Sequence, residues 1–158
     1  MRNRQTMTIE QATTNDAAEI LALQRLAYVS EAEIYDDFGI QPLTQTLDDL
    51  VGEFGTHTIF KAEREGRIVG SVRTVLDGGT CHVGKLIVHP EAQGLGIGSA
   101  LMGHLENYYC EVSRFELFTG HRSRRNLYLY AKLGYREFKR VQVNEQLWLV
   151  YMEKRNFV

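Results

Sequence analysis

The run Leu86-Ile87-Val88-His89-Pro90-Glu91-Ala92-Gln93-Gly94-Leu95-Gly96-Ile97-Gly98-Ser99-Ala100-Leu101 constrains this chain more than any other stretch. It opens as an apolar strand, which Pro90 must end because proline cannot donate to a sheet ladder. Three glycines at alternate positions follow. Beyond them Ile97, Leu101, Leu105 and Tyr108 recur at spacings of four and three, one face of a helix. Strand, glycine-rich turn and helix together expose backbone N–H groups at a helix N-terminus. Those donors and the helix dipole favour an anion, phosphate above all. Side chains at the glycine positions would hold such a ligand off the backbone.

The flanking elements set the fold class. Met7 to Ala12 reads as a short strand, and Thr13 to Asp16 supplies capping side chains. Asp16 and Glu19 have capping-box spacing ahead of a helix whose inner face is Ile20, Leu23 and Ala27. The apolar pattern weakens from Tyr28 to Pro42, where Glu31, Glu33, Asp36 and Asp37 mix with Tyr35 and Phe38. A second helix is expected over Leu43 to Phe54, with Leu47, Leu50 and Val51 on one face. Strands then follow at His57–Glu63, Arg67–Leu76 and Cys81–Val88, with turn signals at Glu65-Gly66 and Asp77-Gly78-Gly79. They read as an antiparallel meander. Arg114–Thr119, reached through the helix after the glycines, is then parallel to the last meander strand. Ser123–Leu133 is a helix with Leu127, Tyr130 and Ala131 inward and Gly134 at the left-handed cap position. Tyr135–Val143 and Glu145–Glu153 are the final strands. The expected fold is one α+β domain over residues 1–158 with a mixed sheet.

Composition excludes several classes. A net charge of −2 argues against nucleic-acid binding through bulk positive charge. The two cysteines, Cys81 and Cys110, have no metal-ligand spacing and suggest reduced thiols. The opening residues Met1 to Thr6 lead to no apolar signal region, and no apolar run reaches membrane-spanning length. The cytoplasm, with no membrane partner and no metal, is the expectation.

The glycine turn fits neither common nucleotide motif. Ser99 stands where a dinucleotide fold needs its third glycine, and no Gly-Lys-Ser/Thr closes a phosphate loop. A second constellation lies at Asn126-Leu127-Tyr128-Leu129-Tyr130-Ala131-Lys132-Leu133-Gly134-Tyr135. Asn126 and Tyr130, four apart, share a helix face. An inward tyrosine serves either in packing, with one bonded hydroxyl, or as a general acid toward a leaving group of similar pKa, such as a thiolate.

These two motifs together resemble the GNAT superfamily of acyl-CoA-dependent N-acyltransferases. Gln93 to Gly98 matches its Gln/Arg-x-x-Gly-x-Gly/Ala loop, and Asn126 to Tyr135 is similar to its second motif. The resemblance covers most of the chain. It implies that strand 82–88 splays from strand 115–119 around acetyl-CoA. Gln93, Gly94, Leu95, Gly96, Ile97, Gly98 and Ser99 would hold the pyrophosphate. The backbone of Ile87 and Val88 would meet the pantetheine arm, as an added strand does, and Leu86 would bind the cofactor beside them. Asn126 would bond the arm or the chain beside it. Tyr130 would protonate the thiolate, and Val88 N–H would meet the oxyanion. Arg122, Arg124 and Arg125 are either solvated charges or phosphate contacts. The implied reaction is direct attack of a primary amine on the thioester, which needs a neutral amine although alkylamines have pKa ~10. Candidate bases or substrate contacts are Glu31, Glu33, His82 and His121. The acid-rich 31–37 segment points toward a cationic small-molecule acceptor such as a polyamine or aminoglycoside. Two other readings are a non-catalytic acyl-CoA sensor and an enzyme acting on protein N-termini or lysines. The family's frequent dimers make the C-terminal strands candidate interface elements for a homodimer.

Overall fold

The computed structural model describes residues 6–156. Residues 1–5, most of the opening segment expected to lack a signal region, lie outside the described residues. Seven strands form one sheet: β1 (Met7–Gln11), β2 (Thr58–Arg64), β3 (Arg67–Asp77), β4 (Thr80–Val88), β5 (Arg114–Gly120), β6 (Arg136–Gln142) and β7 (Trp148–Arg155). Their order is β1-β2-β3-β4-β5-β7-β6, and β4–β5 is the parallel pair. The α+β mixed sheet and its meander are as expected. The last hairpin closes with β7 beside β5 and β6 at the sheet edge. Six helices flank the sheet: α1 (Ala17–Ala27), α2 (Val29–Tyr35), α3 (Gln41–Thr44), α4 (Leu47–Glu53), α5 (Ile97–Tyr108) and α6 (Arg124–Lys132).

Two cores sit on opposite faces. Ile20, Leu23, Leu50, Ile59, Ile68 and Ile87 join α1 and α4 to one face. Phe60, Val72, Leu101, Leu105, Phe115 and Met152 join α5 to the other. Neighbours Ile59 and Phe60 fall in different cores because successive strand side chains alternate faces. Glu65 and Gly66 both have positive φ, +53° and +77°, as a tight primed hairpin turn requires.

Several local expectations change. The capping box is Thr13 with Asp16, whose carboxylate accepts the Thr13 N–H at 2.9 Å, while Glu19 instead accepts the Ile68 N–H at 2.8 Å. Residues 28–42, where the apolar pattern weakens, contain α2. The helix expected over 43–54 is two pieces, broken at buried Gln45 and restarted by Thr46, whose hydroxyl accepts the Asp49 N–H. Leu50 alone of its face is buried, and Leu47 and Val51 are exposed. Tyr108, the last residue of α5, is exposed, and the buried tyrosine is Tyr109 just past it. The turn ending α5 swings Tyr109 inward to bond Thr74 through its hydroxyl. On α6 Ala131 is exposed, and Leu129 packs toward the core instead. Gly134, with φ +100°, does form the left-handed cap, and Tyr135 N–H reaches back to Tyr130 C=O at 2.9 Å. That cap sets Tyr135 against Tyr130, with ring centroids 6.0 Å apart. No helix among the described residues is long and apolar enough to cross a membrane.

Candidate active site

The parallel pairing of β4 with β5 ends early. Thr80, Cys81 and His82 pair with Arg114, Phe115 and Glu116, and beyond them the strands part. On its other side β4 stays paired with β3 through to Val88. A bulge interrupts that ladder where β3 residues Ser71 and Arg73 shift register against β4. Lys85 sits in this bulge with φ +48°, a left-handed conformation that costs a non-glycine residue about 1 kcal/mol or more. The wedge between the parted strands opens into a cavity of about 480 Å³. Leu86 from β4 and Phe118 and Thr119 from β5 line its walls. Tyr28, Glu31 and Tyr35 close it from α1 and α2, and Asn126 and Tyr130 from α6. A smaller groove of about 90 Å³ adjoins it, sharing Tyr28, Glu31, Leu86 and Asn126, and leads past Ile87 and Val88 to Gln93 and Arg125.

The glycine turn stands at the mouth of that groove. Gly94 and Gly96 have φ of +82° and +81°, and a side chain at either would project into open space. Gly96 is the N-cap of α5, and no side chain caps this helix. The first bond closing α5 runs from Ala100 N–H to Gly96 C=O at 3.0 Å. The N–H groups of Ile97, Gly98 and Ser99 therefore have no partner within the helix. An uncapped helix of three turns behind two open glycines suits a pyrophosphate. Arg125 donates to Gln93 across the groove, which brings a cation beside the turn. Arg124 is exposed, and Arg122 lies over the Tyr35 ring.

Backbone direction on β4 follows from one bond. His89 N–H donates to Val69 C=O on β3 at 2.8 Å. Alternation then turns Ile87 toward β3 as well, and Val88 N–H toward the side from which β5 has diverged. Of the two expected backbone contacts, the main chain of Ile87 is committed to the sheet and that of Val88 faces the gap.

Tyr130 is 6% exposed, and its hydroxyl bonds no other group among the described residues. It lies within the cavity lining. Burial, then the neighbouring Tyr28 and Glu31, holds its phenol protonated well above the usual range. The Tyr28 phenol is raised for the same first reason, with Glu31 adding and Arg73 opposing. Asn126 Nδ2 donates to Thr119 Oγ1 at 3.1 Å, tying α6 to the end of β5.

Of the four candidate bases, Glu31 and His82 line the cavity; Glu33 and His121 do not. Glu33, Asp36 and Asp37 are exposed, so the acid cluster does not form a wall. Glu31 accepts the Ser123 hydroxyl at 2.6 Å, and Ser123 meets the Tyr35 hydroxyl at 2.7 Å. The Tyr35 oxygen in turn accepts the Arg122 N–H at 2.9 Å. His121 has a structural bond, accepting the Trp148 N–H on Nδ1 at 3.0 Å. His82 Nδ1 lies 3.9 Å from Glu116, beyond hydrogen-bond reach. Burial pushes the Cys81 thiol up to about 12, and Cys110 is exposed.

Sequence reasoning did not single out Tyr28, Ser123, Arg73, Glu53 or Lys85. Arg73 was visible as a charge inside an otherwise apolar strand. It is 3% exposed, and its guanidinium bonds Glu53 at 2.9 Å, Gln45 at 3.3 Å and the Gln24 carbonyl oxygen. These partners come from α1, α4 and the link before α4, which are far apart in sequence.

Comparison with known proteins accords with this geometry. A model of the acetyltransferase (GNAT) domain matches residues 25–156. An uncharacterized N-acetyltransferase of Methanocaldococcus jannaschii is 36% identical over 83 residues, 51% of this chain and 53% of that protein. The chain thus spans about half the length of that relative. Among solved structures, the ribosomal-protein-S18-alanine N-acetyltransferase of Escherichia coli superposes with a TM-score of 0.80 at 16% identity, covering 97% of this chain and 96% of that one. The paiA N-acetyltransferase of Thermoplasma acidophilum, solved in complex with coenzyme A, gives 0.78 at 14% identity over 95% and 99%. The structural likeness is one of fold, and the family model spans most of the sequence, including both motifs: the chain belongs to the GNAT acetyltransferase family.

Proposed function

We propose that this chain transfers an acetyl group from acetyl-CoA to the primary amine of a small molecule, by direct attack in a ternary complex. The observation that carries this reading is the unpartnered Tyr130 hydroxyl in a cavity opened by the parting of β4 and β5. The pyrophosphate sits on the glycine turn, with Arg125 and Gln93 beside it. The pantetheine arm follows the narrow groove past Val88, and Asn126 and Leu86 flank the thioester. The amine nitrogen bonds to the carbonyl carbon, and Val88 N–H meets the oxygen as it gains charge. The intermediate then expels the thiolate, which takes the Tyr130 proton. Glu31 receives the proton that the nitrogen loses, and the phenol is reprotonated from solvent. A cavity of about 480 Å³ suits a small amine better than a peptide strand. The free edge strand β6, with Phe138 and Val141 uncovered, is the surface we assign to a homodimer.

Calorimetry with acetyl-CoA tests the cofactor, and saturable binding is expected; folded protein that gives no heat would sink the reading. Replacing Gly96 by valine puts a branched side chain at φ +81° in the phosphate turn. Acetyl-CoA binding should weaken at least about tenfold, the scale of one or two charge-assisted bonds. Undiminished affinity in that variant would disprove the backbone cradle.

A further inference from the structure

The cavity lining carries charge of both signs. Glu31, beside Tyr28 and Tyr130, is the anion nearest the transfer chemistry. Arg73 and Lys85, with the Glu53 carboxylate between them, line the cavity but not the adjoining groove, which Glu31 also lines. Glu53 is already committed: one oxygen takes Arg73 at 2.9 Å and the other takes the Gln45 amide at 2.7 Å. The Arg73 guanidinium is held by Glu53, Gln45 and Gln24. Lys85 is not held in this way. Its nearest anionic atom is Glu53 Oε2 at 3.9 Å, outside hydrogen-bond distance, and its side chain is only 21% exposed.

A half-buried ammonium beside a second buried cation, with one shared carboxylate at 3.9 Å, favours an anion brought by a ligand. Burial and then the adjacent Arg73 push the Lys85 ammonium below its usual range, with Glu53 opposing. The main chain accepts left-handed strain at Lys85 to hold this side chain in the bulge where β4 borders the cavity. A polyamine would bring a second ammonium to this place and be repelled. The charge layout is that of a ligand with a cation-forming nitrogen at one end and an anion at the other.

We propose that the acceptor is an amine that also carries a carboxylate, a free amino acid or short amino-carboxylate, with its carboxylate on Lys85 and its nitrogen at the Glu31 end. This rests on the acetyl-transfer reading of the same cavity. It departs from the cationic acceptor suggested by the 31–37 segment, because Glu33, Asp36 and Asp37 face solvent away from the site. A peptide N-terminus lacks a carboxylate close to its amine and is disfavoured by the same feature.

The test is a panel of amino acids, each with its methyl ester and a dipeptide bearing the same first residue, together with spermidine. Thiol release from acetyl-CoA is measured. The best amino acid should exceed its ester and its dipeptide in kcat/KM by about tenfold or more, the scale of one charge-assisted contact. The preference should appear in KM, collapse in Lys85→Met and Lys85→Gln, and return in part in Lys85→Arg. Esters, dipeptides or spermidine equal to or better than the acids would overturn the proposal, as would an acid preference undiminished in both neutral variants. Calorimetry of the same amino acids on the CoA-saturated protein separates the two readings. If acetyl-CoA binds and no amine releases thiol, acetyl transfer fails; amino-acid heats present in the wild type and absent in Lys85→Met still establish the carboxylate site. No heat from any amino acid, together with no acid preference, removes it.

Discussion

Tyr130→Phe should lower kcat about a hundredfold while acetyl-CoA affinity stays nearly constant. The substitution removes one oxygen and keeps the ring that packs 6.0 Å from Tyr135. That oxygen bonds nothing else among the described residues, so its loss leaves no buried partner unsatisfied. On the proposed mechanism what is lost is a proton for the departing thiolate, and a positioned acid contributes about 10² to 10⁴ in rate. The phenol is held protonated by burial and by Glu31, so it remains a donor through the neutral and mildly alkaline range. A fall in kcat with constant cofactor affinity separates an acid from a binding contact. Unchanged turnover would assign Tyr130 to packing alone.

Arg73→Met should destabilise the fold by about 3 kcal/mol, the low end for breaking a buried charged network. The guanidinium joins β3 to α1 through Gln24 and to α4 through Glu53 and Gln45. Removing it leaves Gln24 and Glu53 facing a cation that is gone, while methionine keeps most of the buried volume. For a chain of this size the midpoint of thermal unfolding should drop by about 6–12 °C. The low end applies because Glu53 retains Gln45 and partial exposure. An unchanged midpoint would mean that the network contributes nothing net. Such neutrality is known where apolar packing substitutes for buried ion pairs.

The parts of the site legible in sequence are those whose chemistry is local. Glycines alternating into the start of a helix dictate an open, positive-φ turn there; Gly94 and Gly96 adopt it, and Gly98 lies in the helix. Asn126 and Tyr130 share a face because a helix repeats every 3.6 residues, and Gly134 ends that helix in the left-handed cap. The meander and the parallel crossover follow from turn signals and connection length. Residues 28–54 were poorly legible because their helices are short and weakly periodic. Thr46 restarts α4 there, but it is buried Gln45, held by Gln24 and Arg73, that decides where the chain breaks.

By itself, then, the sequence determined the order of strands, the mixed sheet, the open glycine turn and the helix that carries Tyr130. Each depends on contacts within a few residues or on a periodicity. Tertiary structure alone decided how far β4 and β5 stay paired, which acids reach the cavity, and that Arg73, Lys85 and Glu53 meet. Pairing length depends on twist and on the bulge at Lys85, and neither is written in a local pattern. Glu31 lines the cavity while Glu33 does not, because consecutive odd positions on a helix lie about 200° apart. The charge balance around Lys85 is set by residues at 53, 73 and 85, and only folding makes them neighbours.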